Sequence, residues 1–354
     1  MLLLLSLLPC ILSTSIHITP STSRSELSSY FICTSLIPIG SYNEYSQVCT
    51  FQSKATLVFT NVTIEARRDL PCHASVIEMI VISPNITLEN STLLASSITL
   101  VSDVVRNSHS TLNVTNRGLI YGPGYSRYGG SSYAGQGGFF HKRLSRDNVN
   151  SIGSITCLWE EMEDFRGFGS GGGAEMHRGG GKINITSTSI QWEGTGEANG
   201  GHAGEESCRG AAGGTIVLVS THLFGNGTFT ARGGNAQILH DKYESGAGGG
   251  GRIVLHVEKN ELELTKVDVF GGNANVTYAA GAAGTLLLWN TREGTLIVRG
   301  RHDISGTIPI QVPYASTIVL FDTEERKLPV WLTTITLQNG AVVIASQLNM
   351  AVSH

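Results

Sequence analysis

One short pattern, repeated at nearly fixed spacing, constrains this chain more than any other feature. Gly180-Gly181-Lys182-Ile183-Asn184-Ile185, Gly213-Gly214-Thr215-Ile216-Val217-Leu218, Gly250-Gly251-Arg252-Ile253-Val254-Leu255 and Ala283-Gly284-Thr285-Leu286-Leu287-Leu288 each run from small residues through one polar residue into aliphatics. Ile183, Ile216, Ile253 and Leu286 follow one another at 33, 37 and 33 residues. A second strand follows in two of the units, at Gly227-Thr228-Phe229-Thr230-Ala231 and Lys266-Val267-Asp268-Val269-Phe270. Gly-Gly-Asn-Ala then comes at 233–236 and 271–274, with Gly-Gly-His-Ala at 200–203 one unit earlier. A period of this size, with strands and no sustained 3.6-residue apolar repeat, predicts an all-β chain. Its expected form is a β-solenoid, a parallel β-helix-like stack of repeats with glycine-rich turns.

The physics of one unit fits that expectation. In Arg252-Ile253-Val254-Leu255-His256-Val257, alternation puts Ile253, Leu255 and Val257 inside and leaves Arg252 and His256 outward. A single unit cannot bury its own apolar face, whereas stacked neighbours can. The glycines are expected at corners of positive φ or where one backbone passes close to the next. Forty of the 43 glycines lie between Gly118 and Gly300, yet only 9 prolines accompany them, so the chain is not a low-complexity sequence. The competing reading, flexible linker, is strongest for 122–138 and 167–181.

Glycine placement divides the chain. Residues 24–117 form an N-terminal β region, 118–300 the glycine-rich solenoid, and 301–354 a C-terminal β segment that can be incomplete. Within the first, short runs such as Thr56-Leu57-Val58-Phe59, Val76 to Ile82, Ile86-Thr87-Leu88, Ile98 to Val101 and Thr111 to Val114 are separated by Asn, Ser and Pro, a strand-and-turn signature.

The extreme N-terminus speaks to compartment. Leu2 to Leu12 is almost unbroken apolar sequence followed by Ser13-Thr14-Ser15, the length of a signal-peptide core and too short to cross a bilayer. Residues 1–15 are therefore read as a signal peptide, with cleavage as late as about residue 23. Seven N-x-Ser/Thr sequons, at Asn61, Asn85, Asn90, Asn113, Asn184, Asn226 and Asn275, support a eukaryotic secretory route and a glycoprotein. Of the 6 cysteines, Cys10 would leave with the signal. Cys33 with Cys49 and Cys157 with Cys208 are the expected disulfides, and Cys72 is left over. No Cys/His spacing calls for zinc, and no metal or cofactor is expected.

Charge and motifs exclude several activities. A formal net charge of −4 and 15% charged residues provide no basic surface for nucleic acid. Gly167-Phe168-Gly169-Ser170-Gly171-Gly172 satisfies G-x-G-x-x-G as a string but has no strand before it and no helix pattern after it. A polysaccharide-cleaving β-helix would need convergent carboxylates. Glu160, Glu161, Glu163, Asp164, Glu205, Glu206, Asp241 and Glu244 do not recur at matching positions of successive repeats, and they read as solvated loop charge. His177, His202, His240 and His256 would form a cluster only if their loops converged. Tyr121, Tyr125, Tyr128, Tyr133, Phe139 and Phe140 interleave with glycine. They read as a packed loop over a solenoid end, with sugar stacking the functional alternative.

Taken in order, the Ile98-to-Val114 strands, Gly122-x-Gly124, Gly129-Gly130, Gly137-Gly138, Gly248-Gly249-Gly250-Gly251-Arg252-Ile253 and Gly281-Ala282-Ala283-Gly284-Thr285-Leu286 resemble the large glycine-rich cell-surface proteins of plants and other eukaryotes. The resemblance continues through Thr295-Leu296-Ile297-Val298 and Leu328-Pro329-Val330-Trp331 and covers roughly residues 55 to 345. It implies an extracellular repeat region and supplies no catalytic residues. Longer members resemble membrane proteins, but Leu332 to His354 carries Gln338, Asn339, Gln347 and Asn349, so no spanning helix is expected in this chain.

The sequence thus points to a secreted or cell-surface, N-glycosylated, structural or ligand-presenting ectodomain without catalysis. Its partner would be an extracellular protein or polysaccharide. The alternative is a polysaccharide-active or polysaccharide-binding β-helix protein. An exposed cluster of three or more carboxylates on one sheet face distinguishes the two.

Overall fold

The computed structural model describes residues 48–66, 77–120, 129–134, 137–138, 167–172, 177–204, 209–239, 243–244, 246–274 and 279–290, and strands at 16–18, 30–32, 40–43, 294–299, 318–320, 332–338 and 343–345. No α-helix occurs among them. In chain order the strands are β1 (Ile16–Ile18), β2 (Tyr30–Ile32), β3 (Gly40–Asn43), β4 (Val48–Gln52), β5 (Leu57–Thr60), β6 (Thr63–Glu65), β7 (Glu78–Ile82), β8 (Asn85–Glu89), β9 (Thr92–Leu94), β10 (Ser97–Asn113), β11 (Lys182–Glu197), β12 (Thr215–Phe224) and β13 (Thr228–Thr230). Then come β14 (Ile238–Leu239), β15 (Tyr243–Glu244), β16 (Arg252–Asn260), β17 (Val267–Asp268), β18 (Thr285–Trp289), β19 (Gly294–Arg299), β20 (Ile318–Leu320), β21 (Leu332–Gln338) and β22 (Val343–Ala345).

Eighteen of these join one sheet whose long ladders are parallel. The first ladder runs β4, β7, the start of β10, the start of β11, β12, β16 and β18. A second runs β1, β5, β8, the middle of β10 and β11, then the ends of β12 and β16. The third runs β2, β6, β9, the ends of β10 and β11, β13 and β17. The chain visits the three ladders in turn and returns to the first one level further on. Ile183 pairs with Ile216, Ile216 with Ile253 and Ile253 with Leu286, so the 33- and 37-residue spacings are the length of one level. Levels also come in lengths the repeat did not suggest: Met79 to Ile98 is 19 residues, and Ile98 to Ile183 is 85. Antiparallel β19 closes the first ladder beyond β18.

Inward columns fill the core. Cys49, Met79, Ile98, Ile183, Ile216, Ile253 and Leu286 stack in one column, all at most 2% exposed. Each such side chain contributes about 1.5–3 kcal/mol by leaving water. Across the core, Trp192 and Phe229 fill the space that Gly196 vacates in the third ladder, where a Cβ would stand 2.6 Å from the Phe229 ring.

Between the third ladder and the first, the longer levels run out and back in glycine-rich legs, and the glycine there has one dominant reason. In the leg 246–251, Ala247 and Gly250 donate to Ala279 and Ala282, Gly248 and Gly251 donate to Gly234 and Ala231, and Gly246 and Gly249 accept from Gly210 and Gly213. Every neighbour is met at an interval of three residues. That is the period of the polyproline II screw, which makes no internal hydrogen bonds and sends all of them sideways. A leg surrounded on three sides has no room for side chains: a Cβ on Gly248 would stand 1.9 Å from the Ala211 carbonyl oxygen. Close approach accounts for these glycines. Among described glycines only Gly167 and Gly225 have positive φ, so the corner role expected of glycine is confined to Gly225, and asparagine or histidine takes it elsewhere. The linker reading fails for 167–172 and 177–181, which are bonded into this layer; most of 122–138 lies outside the described residues.

The outward placement of Arg252 needs correction. Its strand alternation is as expected, but the residue is 1% exposed because Tyr133, brought in by the segment 129–134, lies over it. Val217, Val254 and Leu287 are likewise buried on the outer side of the first ladder.

Candidate functional site

Where the first ladder turns into the second, a serine recurs at each of five successive levels: Ser53, Ser83, Ser102, Ser187 and Ser220. Four of the hydroxyls reach back to a carbonyl of the level before, Ser83 to Ala55 at 2.7 Å, Ser102 to Pro84 at 3.0 Å, Ser187 to Asp103 at 3.0 Å and Ser220 to Thr188 at 3.1 Å. Each also lies 2.8–2.9 Å from the carbonyl two residues ahead in its own level. Serine suits this corner because a short hydroxyl can satisfy turn backbone without bulk. Val257 takes the position at the sixth level.

Because the serines fold into the corner, the residues on either side of them form the walls of a shallow groove of about 680 Å³. The walls are Ile82 and Pro84, Val101 and Asp103, Thr186 and Thr188, Val219 and Thr221, then His256 and Glu258. Six levels at the ~4.8 Å strand spacing give a length of about 24 Å. Val101, 39% exposed, is the one large hydrophobic residue among those described that stands well out into solvent. At the far end His256 stacks on Trp289, with ring centroids 4.5 Å apart and planes 16° from parallel.

The groove holds two carboxylates, Asp103 and Glu258. Three strand spacings separate them, about 14 Å, against the roughly 5–9.5 Å over which paired carboxylates act on a glycosidic bond. Among the described residues no three His, Cys, Asp or Glu side chains come together as a metal site. Two acids on the third ladder, away from the groove, are paired: Glu65 with Arg117 at 2.8 Å, and Asp268 with Arg232. Burial raises the Glu197 carboxyl above its ordinary range despite Arg232 nearby. Glu160, Glu161, Glu163, Asp164, Glu205, Glu206 and Asp241 lie outside the described residues, as does His240; Glu244 is on β15. His177 and His202 do meet, but through the backbone: His177 Nδ1 bonds the His202 carbonyl at 2.5 Å, while His202 Nδ1 accepts from the Asn235 amide at 3.0 Å. His256 sits in the groove and shares no site with them.

The sequons have a structural explanation of their own. Asn61 and Asn90, with φ of 55° and 46°, turn the chain from the second ladder to the third, and His109 does the same one level on. Left-handed backbone favours asparagine among side-chain-bearing residues. Two residues later comes a column of hydroxyls, Thr63, Thr92, Thr111, Thr195 and Thr228, paired level to level. A corner asparagine followed by a column threonine spells a sequon. Asn61, Asn90 and Asn226 are all exposed on this one edge, whereas Asn85, Asn113 and Asn184 are half-buried on strands. Asn113 also donates to Glu197 Oε2 at 3.2 Å. Asn275 lies outside the described residues.

Cys49 is fully buried and disulfide-bonded, while Cys33, Cys157 and Cys208 lie outside the described residues. Of the glycine-flanked aromatics only Tyr133 is described, and it covers the flank of the first ladder rather than an end: its hydroxyl is 2.9 Å from Thr215 Oγ1 and Arg252 lies over its ring at 5.1 Å. Sequence reasoning missed the groove and the serine column, although Ser83, Ser102, Ser187 and Ser220 each sit just past an aliphatic run. No helix among the described residues is long and apolar enough to cross a membrane.

No protein-family model, curated protein or solved structure matches the chain.

Proposed function

We propose that this chain is a secreted or cell-surface, N-glycosylated β-solenoid that presents an extended binding groove and performs no catalysis. The three ladders revisited in fixed order support the solenoid reading, and the sequons exposed on one edge support the glycoprotein reading. The observation that carries the function is the long groove, walled by a mixture of aliphatic and threonine side chains, running across six levels. A long, shallow, mostly uncharged channel suits a linear polymer with many hydroxyls, and the His256–Trp289 ring pair offers a stacking surface at one end. An uncharged polysaccharide is therefore the ligand class. The separation of Asp103 from Glu258 favours binding over cleavage.

A glycan array probed with the full secreted protein, run beside a reducing-end assay on every glycan bound, tests this reading. Retention of a neutral polysaccharide without cleavage is expected, with at least a tenfold loss for Thr188→Arg, which fills the groove from an exposed position. Release of reducing ends would establish the enzyme instead. Binding unaffected by Thr188→Arg would remove the groove from the account.

A further inference from the structure

The outward residues that begin each strand of the first ladder form a column: Glu78, Ser97, Lys182, Thr215, Arg252 and Thr285. The glycan groove lies at the other end of these strands, so the column is a separate place on the molecule. Arg252 is 1% exposed and Thr285, its partner on the next strand, 2%. Arg252 Nε and Nη1 and Thr285 Oγ1 are all buried without a hydrogen-bond partner. Arg252 lies over the Tyr133 ring at 5.1 Å, and the Tyr133 hydroxyl is 2.9 Å from Thr215 Oγ1. The column's acid, Glu78, stands four strands away, about 19 Å, where it accepts from Ser97 and Thr99.

A guanidinium cannot shed its charge, because it does not deprotonate in proteins. Removing it from water without a counter-ion costs several kcal/mol, and the quadrupole of one tyrosine ring offsets only part of that. A water could take one N–H but would leave the charge uncompensated. The neighbouring orphan hydroxyl belongs to the same problem, since a group that accepts from Arg252 can also accept from Thr285 Oγ1. We propose that Arg252 and Thr285 bind one small oxyanion beneath Tyr133, held by charge-assisted hydrogen bonds from the guanidinium and one from the hydroxyl. Burial of the site excludes bulky ligands, so the occupant is a free ion of sulfate or formate size.

Equilibrium dialysis of the full chain against labelled sulfate and, separately, labelled formate at constant ionic strength tests the site. Saturable binding of at least one of them at one equivalent per chain is expected. Thr285→Val removes one hydrogen bond and should weaken that ion about five- to tenfold, with circular dichroism unchanged. Arg252→Gln should abolish binding; because that change can also unfold the chain, Thr285→Val and the native stoichiometry decide the matter. No saturable binding of either ion to the native chain would overturn the proposal, as would undiminished binding by Thr285→Val.

Discussion

Trp192 lies on Phe229 with ring centroids 4.8 Å apart and planes 24° from parallel, although the two residues belong to different levels and different ladders. The contact exists because Gly196, in register with Phe229, leaves its inward position empty. A large residue is thus fitted against an absent one, and neither can change alone. Phe229→Ala should cost about 3–5 kcal/mol through the cavity it opens. Gly196→Ala should cost about 1–3 kcal/mol through overpacking. Urea unfolding of both variants checks this, and a Gly196→Ala protein as stable as wild type would contradict the packing.

Alternation in the central strand gives a second contrast. Leu255, 2% exposed, points into the main core, while His256 is half-buried and stacks on Trp289. Leu255→Asp places an unpaired carboxylate in that core and should prevent the chain from folding. His256→Asp forfeits one ring contact and should cost only about 0.5–1.5 kcal/mol. Yield of folded protein and protease resistance separate the two, and equal behaviour would show that the strand is not buried as described.

If the chain is glycosylated as proposed above, glycan occupancy should follow the shared edge. Asn61 and Asn90 occupy the same corner of adjacent levels, one ~4.8 Å strand spacing apart, since Thr63 pairs with Thr92. Two glycans cannot leave from points that close without crowding. Glycopeptide mass spectrometry should therefore find few chains modified at both, while Asn226, three levels further along the same edge, is filled independently. Asn90→Gln should raise occupancy at Asn61, and full occupancy of both in the wild type would contradict the register.

Much of this was legible in sequence because one residue column repeats: Ile183, Ile216, Ile253 and Leu286 could be aligned by spacing alone, and they pair in that register. Ile98 belongs to the same column but stands 85 residues before Ile183, and no period reveals a partner behind an insertion that long. Thr111 and Thr195 show the same effect, with their hydroxyls 2.9 Å apart across 84 residues. The burial of Arg252 was illegible for a related reason: what covers it, Tyr133, comes from an irregular segment more than a hundred residues upstream. The groove depends on corner serines that point inward to satisfy backbone, and nothing in a lone Ser fixes that orientation.

The central claim is that the glycine-rich legs are folded core, hydrogen-bonded to neighbouring legs, and that they fix the order of levels on which the groove depends. Native-state hydrogen exchange at the amides of Gly246 to Gly251 tests it most directly. Ala247, Gly248, Gly249, Gly250 and Gly251 each donate to a backbone carbonyl of another leg or of Ser131. Their amides should therefore exchange as slowly as those of Ile253 to Leu255 in the adjoining strand, opening only with the global unfolding of the chain. Exchange at the rate of an unstructured glycine linker, with the strand amides still protected, would contradict the account.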